Sequence, residues 1–262
     1  MSFSADWLSL REPADRAARD DVLLHRAAAA AGPAPVILDL GCGSGSTVRT
    51  MAPYLPEGTR WRLVDNDPEL LDLAKAAAGP RAETFCTDIA DLDALPLDGV
   101  TLVTASALFD LVPETWVRDL ASRLGVPLYA ALSYDGAMRW TLEDPRDAAV
   151  TDAFNRHQRG DKGLGPALGP DAVTRSVAVL RDAGFEVSQA DSRWRLGPDA
   201  APLQRMLVEG IARAAGEAGM PEADDWGALR IERSTETTCL IGHGDILAVP
   251  RGTPKEERHA LR

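Results

Sequence analysis

The chain has no run approaching the roughly 18 unbroken apolar residues of a membrane-spanning helix. Its opening stretch, MSFSADWLSLREPADRAARD, carries charges where a secretory leader needs an apolar core. A cytoplasmic protein with no membrane partner is the expectation. Cysteine is scarce: Cys42, Cys86 and Cys239 lie far apart, without metal-ligand spacing. They read as small buried fillers in a reducing compartment. His243 and Asp245 have no third ligand at useful spacing, so no metal is expected. Positive charge is also short, with 28 Lys and Arg against 40 Asp and Glu and a net charge of -12. Such a field repels phosphates and argues against nucleic acid as a partner. There is no internal repeat and no low-complexity tract.

Apolar residues make up 45% of the 262 residues, enough for one large α/β domain. Asp15 to Ala31 is rich in Ala, Leu and Arg, reads as one helix, and is stopped by Gly32-Pro33. Val36–Leu40, Arg60–Val64, Ala82–Cys86, Val100–Ala105 and Pro127–Leu132 read as short strands separated by helices. That alternation predicts a mostly parallel sheet covered on both faces. From Ser133 to Pro170 the pattern breaks into a long polar, glycine-rich stretch, and connections of that length are usually functional or disordered. A helix over 171–183, a strand over 185–190, helices near 203–218 and 224–236, and a last strand over 245–249 complete the reading. Trp140, Trp194 and Trp226 are expected in the core.

Between the first strand and its helix lies Asp39-Leu-Gly41-Cys42-Gly43-Ser-Gly45. Glycines there let the backbone bend tightly and approach a ligand with no Cβ in the way. A dinucleotide loop would place Gly or Ala where Ser46 stands, which disfavours an NAD-dependent oxidoreductase. A phosphate-binding P-loop would need a Lys that is absent. Two further carboxylates follow the next strands: Asp65, before Asn66, and Asp88, before Ile89. A carboxylate at Asp65 can accept hydrogen bonds from vicinal ribose hydroxyls. Asp67 competes for that role but stands where a helix cap belongs.

The loop, with Asp65 and Asp88, resembles the acidic-x-Gly-x-Gly-x-Gly arrangement of class I, Rossmann-like methyltransferases that use S-adenosyl-L-methionine (AdoMet). The resemblance implies a seven-stranded, mostly parallel sheet with helices on both faces. It implies that Asp39, Gly41, Cys42, Gly43 and Gly45 wrap the methionine and ribose, that Asp65 and Asn66 hold the ribose, and that Asp88 and Ile89 meet the adenine. It also implies that the segment from Thr104 to Leu111, with Ser106, lines the cofactor. Many members carry His near Asp110; its absence here removes a familiar base. Leu108 and Leu111 are expected in the core. Arg11 or Arg19, in an N-terminal segment folded over the cofactor, is expected to pair with the methionine carboxylate.

The stretch Asn155-Arg156-His157-Gln158-Arg159-Gly160-Asp161-Lys162 is a basic island in an acidic chain. Asn155, Arg156, His157, Gln158 and Lys162 are the candidate substrate contacts, His157 is a candidate base, and Tyr134 is a second. The chain thus divides into a cofactor-covering segment (1–33), an AdoMet-binding core (34–132), a substrate-side lid (133–170), the rest of the sheet with added helices (171–250) and a flexible tail (251–262). The expected reaction is methyl transfer from AdoMet to an O or N atom of a small polar or anionic molecule. The alternatives are a non-catalytic AdoMet-binding module and an aminopropyltransferase-like enzyme. A homodimer is compatible with all three.

Overall fold

A computed structural model describes residues 4–251; most of the expected tail lies outside the described residues. The chain opens with two helices, α1 (Ala5–Ala18) and α2 (Asp21–Ala30). The single helix expected over Asp15–Ala31 is therefore broken at Arg19-Asp20. The Asp20 side chain caps α2 by accepting from the Leu23 amide (2.8 Å), and its own amide donates to Asp245 (3.1 Å).

Strands and helices then alternate: β1 (Val36–Leu40), α3 (Ser46–Met51), β2 (Arg60–Asp65), α4 (Pro68–Ala78), β3 (Ala82–Cys86), β4 (Leu102–Ser106), α5 (Glu114–Arg123) and β5 (Leu128–Trp140). Asp67 caps α4, accepting from the Glu69 amide at 2.9 Å. The rest comprises α6 (Asp147–Gln158), α7 (Ala172–Asp182), β6 (Phe185–Asp191), β7 (Trp194–Leu196), α8 (Ala201–Glu217), α9 (Ala223–Glu232) and β8 (Cys239–Pro250). The sheet order is β3-β2-β1-β4-β5-β8-β6, with β7 also on β8. Only β8 runs antiparallel to its neighbours, so the sheet is mostly parallel, with eight strands where seven were expected.

The stretch after residue 132 is not one open connection. β5 runs on to Trp140 because β8 begins at Cys239, six residues earlier than its apolar pattern suggests, and the two pair from Trp140↔Cys239 to Leu128↔Ala248. The polar residues Ser133, Asp135 and Arg139 hide this extension from a hydrophobicity reading, while the ladder to β8 pairs it at Ser133 and Tyr134 and again from Met138 to Trp140. Helix α6 follows, so the connections that remain are 141–146 and 159–168.

The β5–β8 ladder is interrupted between Ala130 and Ser133, and Leu132 there takes a left-handed φ of 55°. Buried Asp245 holds this bulge, accepting from the Leu132 amide (2.8 Å) and the Tyr129 hydroxyl (3.0 Å) as well as from Asp20. One acidic side chain thus ties the sheet's carboxyl edge to the junction of the first two helices.

Apolar side chains pack on both sheet faces, with α5 and α7 on one and α2, α3 and α4 on the other. A third cluster joins the long ends of β5 and β8 to α6, α8 and α9 and buries Trp140, Trp194 and Trp226.

Candidate active site

The glycine loop leaves the carboxyl end of β1, the central position where ligands lie in open α/β sheets. Gly41, Gly43 and Gly45 have φ of 61°, 51° and 87°, which L side chains rarely adopt. The Cys42 amide donates to Val64 O (3.0 Å) and the Gly43 amide to Asp65 Oδ2 (2.9 Å). A Cβ on Gly43 would come within 3.2 Å of Leu8 Cδ1, and one on Gly41 within 3.5 Å of Leu108. Both would fill the cradle itself.

That cradle opens into a pocket lined by Gly41, Cys42 and Gly43, by Asp65 and Asn66 after β2, and by Asp88 and Ile89 after β3. Ser106 at the end of β4 and Leu108 and Leu111 after it continue the wall, and Arg11 and Lys162 also line the pocket. Asp65 Oδ1 accepts from the Asp67 amide (3.1 Å), so both of its oxygens are aimed by backbone donors. Asp88 is exposed at the rim, its Oδ1 accepting from the Ala90 amide (2.9 Å). Ile89 is fixed through its carbonyl, which accepts from Trp116 Nε1 (2.8 Å). The set suits a nucleoside with a charged amino-acid arm: bare backbone for the arm, a carboxylate for a diol and an acidic rim for an exocyclic amine.

Helix α1 lies over the loop. Arg49 of α3 grips Glu12 with Nε (2.7 Å) and Nη2 (2.6 Å), and its Nη1 donates to Ser44 O (2.7 Å). The Arg49 guanidinium holds the Glu12 carboxyl below its ordinary range. A depressed carboxyl stabilises the folded state above its unfolded value, and that stability is lost as pH falls through the folded one. Protection factors of the α1 amides, taken relative to the intrinsic exchange rate at each pH, should therefore fall as the solution is acidified below about pH 4.5, and in Glu12→Gln they should be low already at neutral pH. Equal protection in both proteins at pH 7 would remove the clamp. No sequence spacing advertises this pair.

Residues 37–125 match the family described as "Methyltransferase domain". An 80-residue stretch, 29% of this chain, is 39% identical to trans-aconitate 2-methyltransferase of Streptomyces avermitilis and spans 29% of that protein. Two solved structures share the fold. The methyltransferase of Geobacter sulfurreducens in complex with S-adenosyl-L-homocysteine has a TM-score of 0.51 and 15% identity, covering 96% of this chain and 100% of its own. That of Thiobacillus denitrificans, with the same ligand, has a TM-score of 0.51 and 16% identity at the same coverages. Over residues 37–125 the chain is similar to that methyltransferase-domain family, and its fold is that of the two methyltransferase structures.

Several residues expected at the methyltransferase site stand apart from the pocket. Asp39 is buried beneath the loop, accepting from Thr104 Oγ1 (2.7 Å), and burial pushes its carboxyl up to about 7. Gly45 precedes α3 with its α-carbon against α4, where a Cβ would meet Ala74 Cα at 3.0 Å. Arg19 is buried and reaches the pocket only through Ser106, donating to its Oγ (2.8 Å). Arg11 does line the pocket, paired with Asp15 (2.9 and 3.1 Å) and lying over the Trp194 ring at 4.9 Å.

Tyr134 is buried, its hydroxyl donating to Asn155 Oδ1 (2.8 Å) while Asn155 donates to Gly136 O (3.0 Å). Burial pushes the Tyr134 phenol above its ordinary range. Both side chains are spent on holding α6 against β5. Gln158 lines neither the cradle's deep pocket nor the shallow outer one, which Arg156 and His157 line and which shares Lys162 with the deep one. Leu108 packs in the core as expected and also lines the deep pocket, whereas Leu111 is half-buried and lines the pocket beside it.

Proposed function

We propose that this protein transfers the methyl group of AdoMet to an oxygen or nitrogen of a small polar or anionic molecule. One observation carries the reading: the pocket lined by the glycine cradle and the carboxylate rim is lined also by Leu164 and Lys162, which the cofactor roles above leave unused. That leaves space for an acceptor beside the cofactor, which a non-catalytic binding module would not need. Arg11 at the loop supplies a cation for the cofactor's carboxylate. An aminopropyltransferase, whose cofactor lacks that group, has no use for it.

In this reading Asp65 and Asn66 hold the ribose, Asp88 and Ile89 the adenine end, and Gly41 and Gly43 admit the methionine arm. The bound sulfonium supplies an electrophilic methyl group and a good leaving group. The protein's share is orientation of the acceptor along the line of displacement and exclusion of water by α1. An anionic acceptor agrees with Lys162 in the pocket's lining and with the partial relative, whose name specifies a polycarboxylate. Calorimetry with AdoMet and S-adenosylhomocysteine should show micromolar-range binding, on the order of -8 kcal/mol. Metabolite extracts incubated with labelled AdoMet should then yield a labelled small molecule. Absence of heat with either ligand overturns the proposal.

A further inference from the structure

Lys162 is the one residue shared by the deep pocket and the shallow outer pocket. Its ammonium is steered there by a side chain outside the deep pocket. Lys162 Nζ lies 3.3 Å from His157 Nδ1 and 3.2 Å from His157 O. The other ring nitrogen, His157 Nε2, lies 2.9 Å from Glu217 Oε2 on α8. An ammonium has three donors and no acceptor, so Nδ1 facing it must be the bare nitrogen, and the proton sits on Nε2, donated to Glu217. The chain Glu217–His157–Lys162 is thus ordered in one sense. A carboxylate fixes the tautomer, the tautomer presents a lone pair, and the lone pair aims the ammonium.

Two Lys162 donors are used on His157, and among the described residues no hydrogen bond takes the third. Burial holds the ammonium below its ordinary range, against the opposing pull of Glu217 and Asp110. Asp110 is itself buried on its Oδ1, which has no partner among the described residues. A donor presented in this way, partly stripped of water, is suited to one anionic oxygen group. Burial holds the Asp110 carboxyl above its ordinary range, so Glu217 is the carboxylate that an incoming anion meets near the ammonium: a carboxylate brings one negative charge there, whereas a phosphate dianion brings two. Arg156 and Asp161, which line the outer pocket around His157, carry opposite charges and leave that balance unchanged.

We infer that Lys162 binds a carboxylate of the methyl acceptor, and that His157, oriented by Glu217, is the residue that positions it. The inference rests on the methyltransferase reading above and gives His157 a role other than that of a base. It also commits the acceptor to a class, small carboxylic acids.

Two measurements test it on the full-length protein. Nitrogen-15 NMR of the imidazoles at neutral pH should show His157 protonated on Nε2 and bare on Nδ1, with the Nδ1 resonance moving in Lys162→Met. A dominant Nδ1–H tautomer overturns the inference. Trans-aconitate, citrate and inorganic phosphate are then titrated into protein saturated with S-adenosylhomocysteine. Wild type should bind a carboxylate probe in preference to phosphate. Lys162→Met and His157→Leu should each weaken that binding at least about tenfold, the loss expected for one charged hydrogen bond. His157→Asn should recover most of it, since an amide oxygen can stand in for Nδ1. All variants should keep the wild-type affinity for S-adenosylhomocysteine. Undiminished carboxylate binding in Lys162→Met, a preference for phosphate, or no carboxylate binding by a protein that does bind S-adenosylhomocysteine overturns this inference alone. Failure to bind S-adenosylhomocysteine overturns the methyltransferase reading and this inference with it.

Discussion

Asp65→Ala should lose on the order of 10²–10³-fold in affinity for AdoMet and S-adenosylhomocysteine while remaining folded. The carboxylate stands at the end of β2, half exposed, so no core packing is lost with it. It does two things at once. Its Oδ2 takes the Gly43 amide and its Oδ1 the Asp67 amide, which sets the glycine loop against the turn after β2. In the proposed complex it also accepts from the ribose hydroxyls. Hydrogen bonds to a charged group contribute about 1.5–3 kcal/mol each, so losing two from the complex amounts to about 3–4 kcal/mol at the lower end of that range, as befits a partly solvated carboxylate. Asp65→Asn should fall between, because one amide-accepting oxygen remains. Calorimetric titration of both variants, with circular dichroism to show the retained fold, is the check. Wild-type affinity in Asp65→Ala would remove this residue from the cofactor site.

The largest stability effect is expected far from the pocket, at Arg230→Ala. The Arg230 side chain has no exposed surface, donates to Asp147 and to Leu142 O at 2.5 Å, and lies over the rings of Trp140 (5.0 Å) and Trp226 (6.0 Å). Trp226 Nε1 donates to the same Asp147 oxygen (2.8 Å). Removing the guanidinium leaves Asp147 without its counter-charge and opens a cavity between two tryptophans. Breaking a buried pair from one side costs about 3–5 kcal/mol, which in a domain of this size lowers the melting temperature by about 10 °C. Thermal unfolding should show this loss, and the protein that remains folded should bind S-adenosylhomocysteine as wild type does. A melting temperature within about 2 °C of wild type would mean that the cluster relaxes around the loss, as cores sometimes do.

The cofactor half was readable because its signals are local. Asp39 through Gly45 is contiguous, and Asp65 and Asp88 each close a strand recognisable from five or six residues. What misled was equally local. Asp39 looks like part of the loop's chemistry, yet β1 is an interior strand flanked by β2 and β4, and its Thr104 neighbour on β4 draws the carboxyl inward. The polar stretch after Leu132 reads as an open lid because alternation fails there, although the backbone continues as a strand for eight more residues. Tyr134 and Asn155 look reactive in a list of residues and turn out to be bonded to one another.

By itself the sequence determined the order of the α/β units, the bare backbone at the cradle, and the two carboxylates beyond it. Each depends on side-chain periodicity or turn chemistry within a few residues. Only the tertiary structure decided that β5 pairs with β8 across about a hundred residues, that Glu12 reaches Arg49, that Asp245 holds the bulge at Leu132, and that Lys162 enters the pocket under the guidance of His157 and Glu217. Such contacts join residues whose separation along the chain carries no regular spacing. They exist because the whole sheet and its covering helices bring those side chains together, and no local pattern encodes that meeting.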